Sequence, residues 1–209
     1  MPTVYNQVAG QSLGRLAALS DNIFSVAMTL LVLSLHEPVK SSIHSELGLL
    51  HSVLSITPQL VTFLMSFLSL GLFWSGQQTQ LNHLSYSDRH LTWIHLAFLC
   101  PVSLMPFSTL LLAQYIHYRT ALLVYWLNNA LLGWILFAGW RYAGKVGLYK
   151  DTVTHELSCA MERRIIVGQL IYAGAAALCF VDPWISIGVI VLAQLNFAIA
   201  PNIKWLSKI

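Results

Sequence analysis

Six apolar stretches of about 18–24 residues constrain this 209-residue chain more than any other feature. As helices they are roughly 27–36 Å long, enough to cross a hydrocarbon core of about 30 Å. They run over Ser12–Leu35, Pro58–Gln78 (with Thr57 as the expected N-cap), Leu91–Ala113, Ala121–Trp140, Arg164–Val181, and from Pro183 to about Ala200, capped by Asp182. Membrane barrels need strands of only about 10 residues that alternate apolar and polar, a pattern not found here. Composition agrees. Hydrophobic residues make up 56% of the chain and charged residues 9%, too few to clothe a water-facing surface. A soluble enzyme and a disordered chain are both excluded. The expected fold is an all-α membrane protein, a single six-helix transmembrane domain over residues 1–209.

The basic residues orient these spans. With the N-terminus inside, Arg15, Arg89, Arg141, Lys145, Lys150, Arg163, Arg164, Lys204 and Lys208 are cytoplasmic, and only Lys40 and Arg119 lie outside. That asymmetry follows the positive-inside rule. A multi-pass protein of the cell (plasma) membrane with both termini in the cytoplasm is expected. The segment Arg141–Arg163 reads as an interfacial connection with a short amphipathic stretch near Thr152–Arg164. A net charge of +3 without a polybasic cluster gives no reason to expect a nucleic-acid partner. The first stretch does not read as a cleavable signal, because it is long and carries Ser20-Asp21-Asn22 inside it. The two halves of the chain show no internal repeat, so a transport path would need further copies of the chain.

The first stretch carries the most information. Its clean apolar part, Ile23–Leu35, is about 20 Å long, too short to cross. Completing the span draws Ser20, Asp21 and Arg15 into the helix, although an Asp at the centre of a spanning helix costs about 2.5–3.5 kcal/mol. The alternative makes Ser20-Asp21-Asn22 a cap after a loop, which leaves the helix short. At about 100° per residue, Arg15, Leu19, Asn22, Val26, Thr29, Leu30, Leu33 and Glu37 share one face, and Asp21 points toward neighbouring helices. A buried Asp needs donors. Trp74, Gln77 and Gln78 of the second stretch and His95 of the third are at the same depth. Asn128, Asn129, Gln169, Gln194 and Asn196 read as hydrogen-bond glue between helices.

Motifs for catalysis are missing. The chain has no Gly-x-Ser-x-Gly, no His-Glu-x-x-His and no phosphate loop, and its eight histidines and three cysteines show no metal-ligand spacing. It is expected not to be an enzyme and to carry no metal and no cofactor. Neither a Thr-Val-Gly-Tyr-Gly filter nor an Arg at every third position of a span is present.

The run from Arg15 through Leu-Ala-Ala-Leu-Ser20-Asp21 to Thr29 resembles the first-helix signature of the transmembrane protein 175 potassium channel family: Arg, three residues, Phe-Ser-Asp, then an apolar run containing Thr. Phe73-Trp74, His95-Leu-Ala-Phe-Leu and Pro106-Phe107-Ser108-Thr109 resemble its second and third helices. The likeness covers about residues 12–113 by motif and the rest by helix count. It implies a bacterial member with one six-helix unit per chain, assembled as a homotetramer whose first helices line the pore. An apolar ring forms the constriction, and a Thr ring lies one turn away. By position the constriction maps onto Val26, extended by Leu30 and Leu33, and the ion-contacting layer onto Thr29. Arg15, Ser20, Asp21, Trp74, Gln77 and His95 would form the network that ties the cytoplasmic helix ends together. Leu19, Gln77 and His95 depart from the family's Phe, His and Asn.

Three functions compete. The first is a channel weakly selective for K+ over Na+, passing K+ and other monovalent cations through a bilayer. The second is an ion- or proton-coupled secondary transporter that titrates Asp21. The third is an assembly protein without a path. Transporters usually carry repeats, broken helices or several midplane ionisable groups. The one acid in a span here lies near its end, which favours the channel.

Overall fold

The structure, a computed structural model, describes residues 12–36 and 45–199; Glu37, Lys40, Lys204 and Lys208 lie outside them. Helix α1 (Leu13–Leu30) starts at Ser12, whose hydroxyl accepts from Arg15 N at 3.4 Å, and tightens into a 3-10 turn over Leu31–Ser34. Ser20-Asp21-Asn22 therefore lie inside the helix and do not cap it. A short helix α2 (Glu46–Ser55), which no feature of the sequence signalled, precedes α3 (Thr57–Asn82). Thr57 is not the cap expected of it. Its hydroxyl turns back to Leu54 O at 2.6 Å, because α2 and α3 nearly join and leave it a carbonyl to reach.

Helix α4 (Arg89–Gln114) is capped by Asp88, which accepts from Leu91 N at 2.7 Å, and contains Pro101 and Pro106. Helix α5 (Arg119–Val146) stops at Gly147, whose φ of 76° falls in the left-handed region where a side chain would be strained. Helix α6 (His155–Ala177) takes Thr154 as its N-cap and closes in a 3-10 turn at Leu178–Phe180. The expected amphipathic segment near Thr152–Arg164 thus falls mostly within the first three turns of α6 and is not a separate interfacial piece. Helix α7 (Pro183–Ile199) begins as expected, with Asp182 accepting from Trp184 N at 2.6 Å.

Among the described residues five helices are long and apolar enough to cross a membrane: α1 with its 3-10 turn, α3, α4, α5, and α6 with its 3-10 turn. The sixth expected span, α7, has 17 described residues, about 26 Å.

Side-chain contacts fix how these helices run. At one end Trp74 meets Asp21, Tyr142 meets Asp88, Lys150 Nζ meets Asn82 O at 2.7 Å, and Arg141 meets Glu162 at 3.2 Å. At the other end His36 N meets Gln59 Oε1 at 2.8 Å, and Arg119 lies over Phe180. The chain therefore runs up and down. The start of α1, the end of α3, the start of α4, the end of α5 and the start of α6 share one end, which also holds Arg15, Arg89, Arg141, Lys145, Lys150, Arg163 and Arg164. An isolated antiparallel bridge, Leu84 with Tyr149, joins the two loops there. Burial pushes the Tyr149 phenol above its usual pKa, so it stays a donor, to Trp140 O at 2.8 Å.

Polar bonds also hold the middle of the bundle. Thr109 donates to Ser66 at 2.7 Å, Ser69 and Tyr125 are 3.1 Å apart, and Gln194 of α7 donates to Ser69 at 2.7 Å. Asn128 reaches from α5 to Pro101 O in α4 at 3.1 Å, whereas Asn129 donates to Tyr125 O within its own helix. Between helices in hydrocarbon such bonds add to packing, because the alternative is an unpaired polar group.

Candidate functional site

Helix α1 has two unlike faces. Leu16, Ser20, Phe24, Ala27, Leu31 and Ser34 recur every three or four residues and are all buried. Phe24 stacks against Phe98 of α4 with ring centres 6.0 Å apart. The other face holds Arg15, Leu19, Asn22, Val26, Thr29, Leu30 and Leu33, every one exposed on the single chain. Val26 is 56% exposed and Leu33 67%. Leu33 keeps line with Leu30 because the turn beyond Leu30 is 3-10, and side chains three apart eclipse in that geometry. A cavity of about 220 Å³ opens on this face, bounded by Asn22, Ile23, Val26, Ala27, Leu30 and Ser103.

Thr29 carries the one hydroxyl on this face. It donates to Val26 O at 2.8 Å, three residues back. Its proton is thereby committed to the backbone, so the oxygen can offer only its lone pairs outward.

At the basic end two hydrogen-bonded groups lie side by side. Asp21 Oδ1 accepts from Trp74 Nε1 at 2.8 Å and from Gln78 Nε2 at 2.6 Å. Behind it, wholly buried, Gln77 Nε2 donates to Ser20 Oγ at 2.9 Å and lies 3.4 Å from His95 Nδ1. The four expected partners of Asp21 thus divide. Trp74 and Gln78 take the carboxylate, while Gln77 and His95 gather around Ser20. The division follows from helix geometry: Ser20 lies on the buried stripe, and Asp21, one residue on, is turned about 100° toward the edge of α3. Asp21 is also exposed on the single chain, against the expectation of a buried acid. Arg15 is exposed as well and makes no side-chain bond among the described residues. The amide oxygen of Gln77 is buried without a partner, a feature the sequence did not signal.

Among the described residues no three His, Cys, Asp or Glu side chains group to hold a metal. The site is a helix face with an anchored end, and its family is visible from comparison. Over 194 residues the chain is 30% identical to a protein of Chamaesiphon minutus named a potassium channel, covering 90% of this chain and 95% of that one. Residues 15–106 match the family described as endosomal/lysosomal potassium channel TMEM175, and every site residue named above falls within them. This chain belongs to the TMEM175 family. A potassium channel of Streptomyces collinus is 28% identical over 174 residues, 81% of this chain and 83% of that one. The crystal structure of a lysosomal potassium-selective channel TMEM175 homologue from Chamaesiphon minutus superposes with a TM-score of 0.79 at 30% identity, over 91% of this chain and 98% of that one. The TMEM175 likeness therefore extends well beyond the first four helices, through the whole described bundle.

Proposed function

We propose that this chain is one subunit of a homotetrameric, potassium-permeable channel with six spans, including α7, and that α1 lines its pore. The observation that carries the reading is the uncovered face of α1. A lone spanning helix buries one stripe and shows lipid the other. Here the open stripe is apolar at Val26, Leu30 and Leu33, carries one oriented hydroxyl layer at Thr29, and is flanked by a cavity suited to a neighbouring copy. Closed cyclic assembly places four such stripes around one axis. The family membership and the relatives named as potassium channels support the same reading.

In this reading Val26 forms the narrowest apolar ring, extended by Leu30 and Leu33. An apolar constriction limits flow by excluding water. Thr29, one turn on, presents four hydroxyl oxygens whose lone pairs face the axis. They replace part of the hydration shell of K+, which gives up water more readily than Na+. Four hydroxyls supply far fewer oxygens than a carbonyl filter, so K+ is preferred over Na+ only weakly. The excess of basic residues at one end supports cytoplasmic termini under the positive-inside rule, and a plasma-membrane location is part of the same proposal. A coupled carrier is less well supported. Asp21, the acid it would titrate, already accepts two N–H bonds from α3 of its own subunit.

Two measurements test the proposal. Native mass measurement in mild detergent is expected to give a tetramer, and a monomer or dimer as the sole species defeats it. In planar bilayers, Val26→Ala is expected to pass severalfold more current than the unmodified channel. Unchanged conductance in assembled protein removes α1 from the pore.

A further inference from the structure

A second groove lies on the far side of the bundle, between α5 and α6. It is lined by Gly133, Trp134 and Phe137 from α5 and by Ile166, Gln169 and Leu170 from α6. Gly133 opens it: a methyl group there would fall 1.8 Å from Gln169 Nε2, so only glycine lets that side chain lie across the helix. The Gln169 amide makes no hydrogen bond among the described residues, although its surroundings are otherwise apolar. A half-exposed amide facing hydrocarbon without a partner is costly and is best met by a polar atom of something bound there.

The end of the groove nearest the water is basic. Arg141 lies one turn beyond Phe137, with its guanidinium 5.8 Å from that ring centre. Lys145 follows a turn later on the same side of α5. Arg163 flanks the same face of α6, one turn before Ile166. Glu162 pairs with Arg141 at 3.2 Å, which leaves Lys145 and Arg163, both exposed, uncompensated among the described residues. Arg164 points to the opposite side of α6, about 190° from the groove's centre.

We propose that this groove holds an anionic phospholipid of the cytoplasmic leaflet. Its phosphate sits among Lys145, Arg163 and the outer edge of Arg141. Its glycerol ester accepts from Gln169, about 9 Å deeper along α6 than Arg163. One acyl chain lies along Trp134 and Leu170. Long basic side chains reach outward to the head-group level while their stems stay in the apolar layer, so the charges and the groove serve one molecule. The leaflet follows from the orientation proposed above. The lipid class rests on the charge and the groove alone.

Trp134 supplies the probe, being 61% exposed in the groove. The protein is reconstituted into phosphatidylcholine vesicles that contain, at equal mole fraction, either phosphatidylglycerol or phosphatidylcholine with brominated acyl chains. The quenching lost in Trp134→Phe reports the groove. Phosphatidylglycerol is expected to associate roughly five- to tenfold more strongly than phosphatidylcholine, since each basic group near the surface favours an anionic head by about fivefold and Glu162 offsets part of this. Lys145→Gln combined with Arg163→Gln should bring the ratio to about one, and Arg164→Gln should leave it unchanged. The unmodified protein gives an independent check: about 1 M salt, which shortens the screening length to about 3 Å, should also collapse the ratio. Equal quenching by both lipids, a ratio that survives the salt, or a loss in Arg164→Gln as large as in the paired variant overturns the proposal. No ion flux is measured and both leaflets carry the same lipids, so the result is independent of the pore reading.

Discussion

The two faces of α1 answer to different partners. The stripe from Leu16 to Ser34 packs on α3 and α4 and is a matter of folding one chain. The stripe from Arg15 to Leu33 is largely uncovered in the single chain, with Val26 56% and Leu33 67% exposed, and in the proposed channel it bears on assembly and permeation. The teaching point is Ser20 beside Asp21. Adjacent in sequence, one lies on the buried stripe and the other on its flank, and the same four side chains that seem interchangeable as polar partners are sorted between them by about 100° of helix rotation. Substitutions that respect the division should separate stability from conduction, and those that cross it should not.

The largest effect is expected at Phe24. It is 2% exposed and leans on Phe98, whose ring also meets Phe73 edge-on at 6.5 Å. Phe24→Ala opens a cavity in a packed interior and should cost about 3–5 kcal/mol. A thermal melt in detergent should show a drop of many degrees or loss of folded protein. Val26→Ala, two residues away on the open face, should melt within about 0.5 kcal/mol of the unmodified subunit, since surface substitutions seldom do more. Comparable losses at both positions would mean that α1 is packed all round and has no open face.

Next come the two polar groups at the basic end. Ser20→Ala strands the Gln77 amide, which is wholly buried and already has one unpaired oxygen, and should cost roughly 1–3 kcal/mol. Asp21→Ala frees Trp74, which is 42% exposed and can bond water instead, so the subunit should lose only about 0.5–1.5 kcal/mol. A double-mutant cycle of Asp21→Ala with Trp74→Phe should give a coupling energy, whereas Asp21→Ala with His95→Ala should be additive, because the structure puts those two in separate groups. Coupling between Asp21 and His95 would merge what the geometry divides.

Much of this fold is legible in the sequence, for reasons that differ between elements. Length and hydropathy alone locate a span, so six apolar segments stand out along the chain by themselves. The depth of a residue follows from its position along a span, so Trp74, Gln77, Gln78 and His95 can be set level with Asp21. The rotation of α3 and α4 about their own axes is decided by packing between helices, and no pattern in one helix reveals which side chain meets Ser20 and which meets Asp21. Helix α2 escapes notice because Glu46–Ser55 is too short and too mixed to stand out from a loop. The early start of α6 is hidden because Glu156, Glu162, Arg163 and Arg164 read as part of an interfacial connection, although helices of 23 residues and more project past the bilayer core and keep such charges at its edge.

The smallest structural effect, and the sharpest functional one, belongs to Thr29. Its hydroxyl donates to Val26 O, a bond made within its own helix. Replacing it by Val keeps the branched shape and removes only the oxygen. With the side chain exposed and the backbone carbonyl still in the helical ladder, the subunit's melting should hardly move. The reversal potential should move. With K+ on one side and Na+ on the other, Thr29→Val should shift it toward zero, because four lone-pair donors vanish from the axis while the apolar ring remains. Thr29→Ser keeps the oxygen and can make the same backward bond, so it should hold the original value to within a few millivolts. If Val and Ser behave alike, the hydroxyl is only helix chemistry on an exposed face. If Ser matches the unmodified channel and Val does not, the oxygen itself meets the ion, and the open face of α1 is the wall of the pore.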